Sequence, residues 1–520
     1  MDRHRRPLIA ALPLGFLAVF FVWPLAAIFE RSLSDGLTPA MDVLASRSTL
    51  ELAWFTVWQA ALSTLLTLVA GLPLAWVLGR YSFRGRSLIE ALVLVPFVLP
   101  TLVVATAFVA LLPDGAERTV WAILVAHVFF NVAVVVRVVG ASFAALDRRL
   151  WDAAATLGVG PLRRFRSLTL PLLAPSLAAA GSIVFLFCFT SFGVILVLGG
   201  PGYATLETEI YTRAARLFDL RAAAGLALLQ LAVVALVIAV SGRLERRLAG
   251  GRRRGPAAGP PTGRRAALVG AILVVSTGLL LLPPVALVFR SVSVGGVIGL
   301  DHYARLFDET PALLVAPWQA IANSLLFAAA ATVVALAVGI PAAISVASGR
   351  GGLDVLLMLP LGASAVMLGF GFLLAFDEAP LDLRGTLVLV PLAQALVAVP
   401  FVVRALVPPL RAFDGRLRDA AAVLGASPTR IRLAIDLPLL ARPLAVAAGL
   451  AFAVALGEFG ATVFLARADR PTLPVAIFRF LGRPGAENVG TAMALAVVLM
   501  ALVTLAALAG ERALARWSLR

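Results

Sequence analysis

The sequence has no lysine, a single cysteine and three histidines, and only 14% of its 520 residues are charged. Each shortage excludes something. Without lysine the chain has no Gly-Lys-Ser/Thr phosphate-binding loop, so any ATP used with it must be bound by another subunit. The one cysteine, Cys188, lies in an apolar stretch; it allows neither a disulfide framework nor a thiolate metal cluster, and reads as a small buried hydrophobe. The low charge accompanies 61% hydrophobic residues and a mean hydropathy of +0.99, far from the roughly 25% charged residues of a soluble domain. One or two soluble cores could not hide that much apolar surface, which makes the chain a polytopic membrane protein. No carboxylate pair, nucleophile triad or His/Cys metal set occurs at useful spacing, so no catalytic, cofactor-binding or metal site is expected.

What is present is arginine and long apolar runs. All 44 basic residues are arginine, against 28 acidic ones, for a formal charge of +16. They sit in short gaps between apolar runs rather than on a basic face with stacking aromatics, which argues for membrane topology and against nucleic-acid binding. A bilayer-crossing helix needs about 20 mainly apolar residues, and the chain offers about twelve such windows. The first six lie near residues 8–28, 53–78, 88–111, 119–143, 176–198 and 222–240, the second six near 266–289, 320–346, 355–376, 387–408, 444–465 and 489–508. Arginine marks the start (Arg3, Arg5, Arg6), the gap at Arg80, Arg84 and Arg86, the long gap after Phe143, a linker from Ser241 to Arg265 and the tail ending Arg512, Arg516, Arg520. The positive-inside rule puts all of these in the cytoplasm, with both termini. The first window follows arginines like a secretory signal, but it lacks a small-residue cleavage site and is long enough to cross, so it reads as an uncleaved helix.

The chain repeats itself at an offset of 267 residues. Between Asp147–Ala174 and Asp414–Ala441 sixteen of twenty-eight positions are identical without a gap, including Asp152/Asp419, Gly158/Gly425, Pro161/Pro428, Arg163/Arg430 and Pro171/Pro438. Polar and punctuating residues match, so apolar bias is not the cause. Register continues into Phe192-Gly193 against Phe459-Gly460 and Thr205-Leu206 against Thr472-Leu473; Gly71-Leu72-Pro73 matches Gly339-Ile340-Pro341 at 268. Six spans separate the copies, an even number, so the repeats run parallel and are expected to be related by an axis along the membrane normal. The expected fold is all-α: a first repeat over 1–240 with a loop at about 147–175, a linker at 241–265, and a second repeat over 266–520 with a loop at about 414–442.

Within those loops Leu150, Ala154 and Leu157 fall at i, i+4, i+7, and Leu417, Ala421 and Leu424 repeat the stripe, which predicts a short amphipathic helix. Gly158 or Gly425 suits a left-handed C-terminal cap; Pro161 or Pro428 suits the first turn of a second helix, with Ser427 as its N-cap. The run Ala153-Ala154-Ala155 keeps the exposed face slim, so the hairpin could enter a narrow cleft on a partner, whereas a plain amphipathic connector would lie on the membrane surface. The two copies in register favour the partner.

Asp152-Ala153-Ala154, Gly158 and Leu168-Thr169-Leu170-Pro171, repeated as Asp419-Ala420-Ala421, Gly425 and Ile435-Asp436-Leu437-Pro438, resemble the Glu-Ala-Ala loop of binding-protein-dependent ATP-binding-cassette (ABC) importer permeases. Two such units in one chain are similar to the fused permeases of the ferric-iron and thiamine importers. Ala126 to Asn131, Phe187-Cys188-Phe189 and Thr205-Leu206-Glu207 look more like the thiamine type. The resemblance implies that each loop is a coupling helix docking in a groove of an ATPase subunit, two copies in all, which alone uses ATP and Mg. It further implies an extracytoplasmic solute-binding protein that docks near Tyr203–Leu220 and Arg467–Glu487, a location in the bacterial cytoplasmic membrane, and no catalysis by this chain. Both copies begin with Asp where the family has Glu, which shortens the reach of that first carboxylate.

Charged residues inside spans cost about 2.5–3.5 kcal/mol each on insertion scales, so each needs a reason. Glu458 stands in the fifth window of the second half beside Phe459, where the first half has Ser191 and Phe192. It reads either as a pathway group favouring a cationic solute or as a hydrogen-bonded structural carboxylate; Ser191, Phe192, Glu458 and Phe459 are the pathway candidates. His127, opposite Gln394, reads as an interhelical donor. Arg137 and Arg404 read as snorkelling anchors. A different class of function, a twelve-span secondary transporter driven by an ion gradient, would need coupling carboxylates, and Glu458 is almost alone. A non-transporting scaffold is the third reading.

Overall fold

The computed structural model of the chain describes residues 6–34, 36, 42, 44–113, 115–248, 259–294, 296–349, 351–377, 381–412 and 416–515. Arg3, Arg5, Arg516, Arg520 and residues 249–258 of the linker lie outside them. Lipid offers the backbone no hydrogen-bonding partner, so apolar runs satisfy their amides within helices. Among the described residues ten helices are long and apolar enough to cross a membrane, and two bent pairs would raise the number to twelve. The chain is a multi-pass, all-helical membrane protein; among the described residues one two-residue β-ladder pairs Ser293 with Ile298 and Val294 with Val297.

The first, second, fourth and sixth windows of each half fall on single helices: Ala10–Leu33, Arg47–Arg80, Val120–Ala145 and Leu220–Arg243, then Arg264–Ser291, Pro317–Ala347, Leu389–Arg411 and Ala486–Gly510. The third windows do not cross as single rods. Arg86–Val98 meets Thr101–Leu111 at 100°, and Gly352–Pro360 meets Ala365–Ala375 at 86°. Proline forces the first corner. The residue before a proline is pushed out of the helical region, and Leu99, before Pro100, is extended at ψ 138°. At the second corner Pro360 stands near the end of one arm, and the Ser364 hydroxyl starts the other by accepting the Met367 N–H at 3.0 Å. Pro73, Pro341 and Pro400 lie inside unbroken helices.

The fifth windows shift. Their helices run Pro161–Phe189 and Thr429–Gly457, starting inside the preceding loop and stopping short of Ser191 and Glu458. A single π turn at Phe165–Thr169, matched 267 residues on at Arg432–Asp436, carries each loop into its span. Short helices Gly193–Leu198 and Thr462–Leu465 follow the breaks.

The helices gather into two compact units. One comprises 1–40, 210–227 and 291–520, the other 41–209 and 228–290. The units therefore cut across the two sequence repeats, each taking its first helix from the other repeat. In the first unit Phe20 packs on Phe376 and Phe372 at 5.6 and 6.1 Å between ring centroids, and Trp23 meets Phe376 edge-on at 5.3 Å. In the second, Val269 is buried with Val77 and Tyr81. Second and fourth spans close on each other at glycine, as small residues permit. A Cβ on Gly79 would lie 2.4 Å from the Gly140 carbonyl oxygen, and one on Gly339 2.5 Å from Val402 Cγ1.

Candidate functional site

Both loops between fourth and fifth spans form the expected helix–turn–helix. In the first, Asp147 caps Arg148–Thr156 by accepting the Arg149 N–H at 2.9 Å. Gly158, at φ +73°, closes that helix: its N–H reaches the Ala155 carbonyl and the Val159 N–H reaches Ala154, both at 3.0 Å. These paired bonds need a left-handed residue between them. Pro161 opens the next helix. In the second loop Gly425, at φ +80°, makes the same pair, from Gly425 to Ala422 at 3.0 Å and from Ala426 to Ala421 at 2.9 Å. The Ser427 hydroxyl accepts the Arg430 N–H at 3.3 Å. A Cβ on either glycine would meet nothing within 4 Å, so glycine is required here by the backbone and not by space.

Asp152, Ala153, Asp419, Ala420, Pro171 and Pro438 are exposed, with Ala154 and Ala421 half-buried. The hairpins also hold large apolar side chains in the open: Leu157 is 81% exposed, Val423 88% and Leu424 87%. An open hollow of about 570 Å³ lies against Gly160–Arg163, Arg166 and Ser167 of the first hairpin. The two hairpins are held differently. Trp151 has the Arg80 guanidinium 5.1 Å and the Arg164 guanidinium 5.7 Å from its ring centroid. In the second hairpin Arg418 pairs with Asp436 at 2.7 Å.

At the other end of the fifth spans, Ser191, Phe192, Glu458 and Phe459 are all buried where the helices stop. The two halves solve this break by different chemistry. In the first, one imidazole joins three segments: His127 Nε2 meets the Ser191 hydroxyl at 2.9 Å and Nδ1 meets the Ser63 hydroxyl at 3.0 Å. In the second, Glu458 accepts the Ala461 N–H at 2.7 Å with one oxygen and the Thr462 N–H at 3.0 Å with the other. Both oxygens of that carboxylate are thus hydrogen-bonded where the chain enters Thr462–Leu465. Gln394, opposite His127, keeps its Oε1 buried without a partner. The corner of each bent third span rests on the glycine that follows: a Cβ on Gly193 would lie 2.6 Å from Thr101 Oγ1, and one on Gly460 2.8 Å from the Ala365 Cβ. Arg137 and Arg404 are exposed.

Residues 71–253 match the family described as binding-protein-dependent transport system inner membrane component. The thiamine transport system permease protein of Brucella abortus (strain 2308) is 30% identical, over 96% of this chain and 95% of its own length. The chain belongs to this family of transport permeases. The corresponding protein of Escherichia coli (strain K12) is 28% identical over 86% of both chains. A probable ABC transporter permease protein of Sinorhizobium fredii is 28% identical over 90% of this chain and 89% of its own. The family is one of transport and not of catalysis. Its match takes in the first hairpin and first break; the second hairpin and break follow by the internal repeat.

Several buried polar contacts were not singled out by the sequence. The Leu206 N–H donates to the Thr56 hydroxyl at 3.1 Å, and the Leu473 N–H to the Ser324 hydroxyl at 2.6 Å. Thr56 and Ser324 stand 268 apart, the offset of the neighbouring Gly-Leu/Ile-Pro match, so the repeat carried this signal. The Gln230 amide donates to Glu207 at 2.5 Å. Pro474 stands opposite Glu207, so nothing in the repeat flagged that pair. Among the described residues no group of three His, Cys, Asp or Glu could hold a metal ion.

Proposed function

We propose that this permease imports thiamine, handed to it by an extracytoplasmic binding protein and driven by two copies of a separate ATPase subunit, one seated on each hairpin. The observation that carries the solute is the end-to-end likeness to thiamine transport system permease proteins. The seating is supported by the hairpins themselves, which leave Leu157, Val423 and Leu424 bare at their turns; apolar groups held in the open at matched places serve an interface. Arginine asymmetry puts the hairpins and both termini in the cytoplasm. This chain binds no cofactor in the cycle: ATP and Mg belong to the partner, since the sequence cannot form a phosphate-binding loop.

The mechanism follows from continuity. The second arm of each hairpin and the fifth span are one helix, Pro161–Phe189 or Thr429–Gly457, so displacement of a hairpin moves a rod whose far end is the buried break at Ser191 or Glu458. There the third-span corner rests on Gly193 or Gly460 with no room for even a methyl group. Tightly packed contacts shift between discrete arrangements rather than bend, so moving the rod exchanges one packing of the break for another and opens the pathway to one side at a time. On the outer side, Leu217, Phe218 and the exposed Arg467–Arg470 turn offer the binding protein its footing, whereas Thr205–Thr208 and Leu473–Ile477 are buried. The Asp469 carboxyl is held below its ordinary value by the hydrogen bond from Arg467, so that turn carries both charges at physiological pH.

The test is ATP hydrolysis by the permease–ATPase complex in nanodiscs. Thiamine-loaded binding protein is expected to stimulate it, and a ferric-iron-loaded one is not. Stimulation by the iron-loaded protein alone would overturn the choice of solute, and hydrolysis indifferent to any binding protein would overturn the importer.

A further inference from the structure

The two hairpins differ in a concerted way. In the first, two guanidiniums lie over the Trp151 ring, from Arg80 at the end of the second span and from Arg164 in the hairpin's own second arm. The indole N–H is buried with no acceptor, so the fold uses this residue for its ring face and not for a hydrogen bond. At the matching positions of the second repeat all three members change together: Arg418 replaces Trp151, Ile431 replaces Arg164 and Ser348 replaces Arg80. A different lock takes their place. Arg418 pairs at 2.7 Å with Asp436, which stands where the first repeat has Thr169, a buried hydroxyl with no partner.

We infer that Trp151 is a positioning residue tying the first hairpin to the inner end of the second span, and that the two hairpins pass load into the membrane through physically different fastenings, one a cation–π clasp and the other an ion pair. The inference rests on the coupling role proposed above. The clasp binds hairpin to span and to its own second arm, so a push on the first hairpin reaches two spans at once, the second and the fifth. The Arg418–Asp436 pair joins the two arms of its hairpin. Attraction between a charge and a ring quadrupole acts at contact and is little screened by salt, whereas a half-exposed ion pair weakens as ionic strength rises. Two cation–π contacts shift the docked-to-released ratio by about five- to thirtyfold.

The experiment needs no ATPase. Cys188 is buried, so a nitroxide attached to Leu157→Cys or to Leu424→Cys reports one hairpin at a time in the full chain held in nanodiscs. Trp151→Leu is expected to raise the mobile fraction at position 157 about five- to thirtyfold and to leave 424 unchanged; Trp151→Phe, which keeps a ring face, falls between. Raising salt from about 0.05 to 0.5 M, or Arg418→Leu, is expected to loosen 424 and not 157. A label at 157 that ignores Trp151→Leu, or salt that loosens both hairpins equally, overturns the inference while leaving the ATPase reading intact. A complex that fails to hydrolyse ATP in response to binding protein overturns that reading without touching the label result.

Discussion

Replacing Gly158 and Gly425 by alanine tests the hairpins by backbone alone. Both glycines are left-handed, at φ +73° and +80°, and both face open space, so the methyl group clashes with nothing beyond its own chain. A left-handed alanine costs about 1–2 kcal/mol, which multiplies the opened fraction of one hairpin by about five to thirty, since 1.4 kcal/mol is tenfold. The control is Gly160→Ser. Gly160 has φ −63° and caps the second arm, nothing lies within 4 Å of a Cβ there, and its repeat partner is Ser427. Serine also caps better than most residues, so this change is expected to be neutral or mildly stabilising. Trypsin cleavage within the hairpin follows the opened fraction when reclosing outpaces cutting. Gly158→Ala is expected to be cut about five- to thirtyfold faster than the parent, Gly158→Asn less so because asparagine tolerates this conformation, and thiamine uptake to fall in the same order. If Gly158→Ala is cut no faster than Gly160→Ser, the turn does not depend on its left-handed residue and the reasoning fails.

Gly79→Ala brings a methyl against a backbone carbonyl oxygen at 2.4 Å, which no side-chain rotation relieves; a loss of about 1–3 kcal/mol is expected as a lower thermal aggregation temperature in detergent. Glu458→Ala leaves the buried Ala461 and Thr462 N–H groups without their carboxylate, at about 1–3 kcal/mol, so the melting temperature should drop if the carboxylate is structural; a variant as stable as the parent that has lost only transport would favour the pathway reading. Phe218 is 78% exposed at φ +57°, and its repeat partner Gly485 sits at φ +110°. Phe218→Gly is therefore expected to raise stability by about 1 kcal/mol, read as a higher melting temperature, and no rise would mean the backbone there is unstrained.

The parts of this molecule that repeat are the parts its sequence discloses. Glycine and proline at fixed spacing carry their own geometry, which is why both hairpins, the caps at Gly158 and Gly425 and the Ser427 N-cap are legible in the residues alone. Hydropathy counts apolar residues and is blind to direction, so the third windows read as single spans although Pro100 turns one of them by 100°. The fifth windows are displaced for a related reason: the apolar run continues through Ser191 and Glu458, while the helix stops where side chains capture the backbone or one another. Exchange of the first helix between units leaves no local mark, since Phe20 and Phe376 meet only across the fold. Trp151 carries no signal either, because its repeat partner is arginine and what each one holds is set by groups distant in the chain.

The central claim, that a separate ATPase drives this permease, is tested most directly by thiamine uptake into proteoliposomes. With the ATPase, internal ATP and external thiamine-loaded binding protein, thiamine is expected to accumulate against its gradient, and to stop doing so when the ATPase is left out, whatever proton or sodium gradient is imposed. Accumulation by this chain alone, driven by such a gradient, would contradict the account.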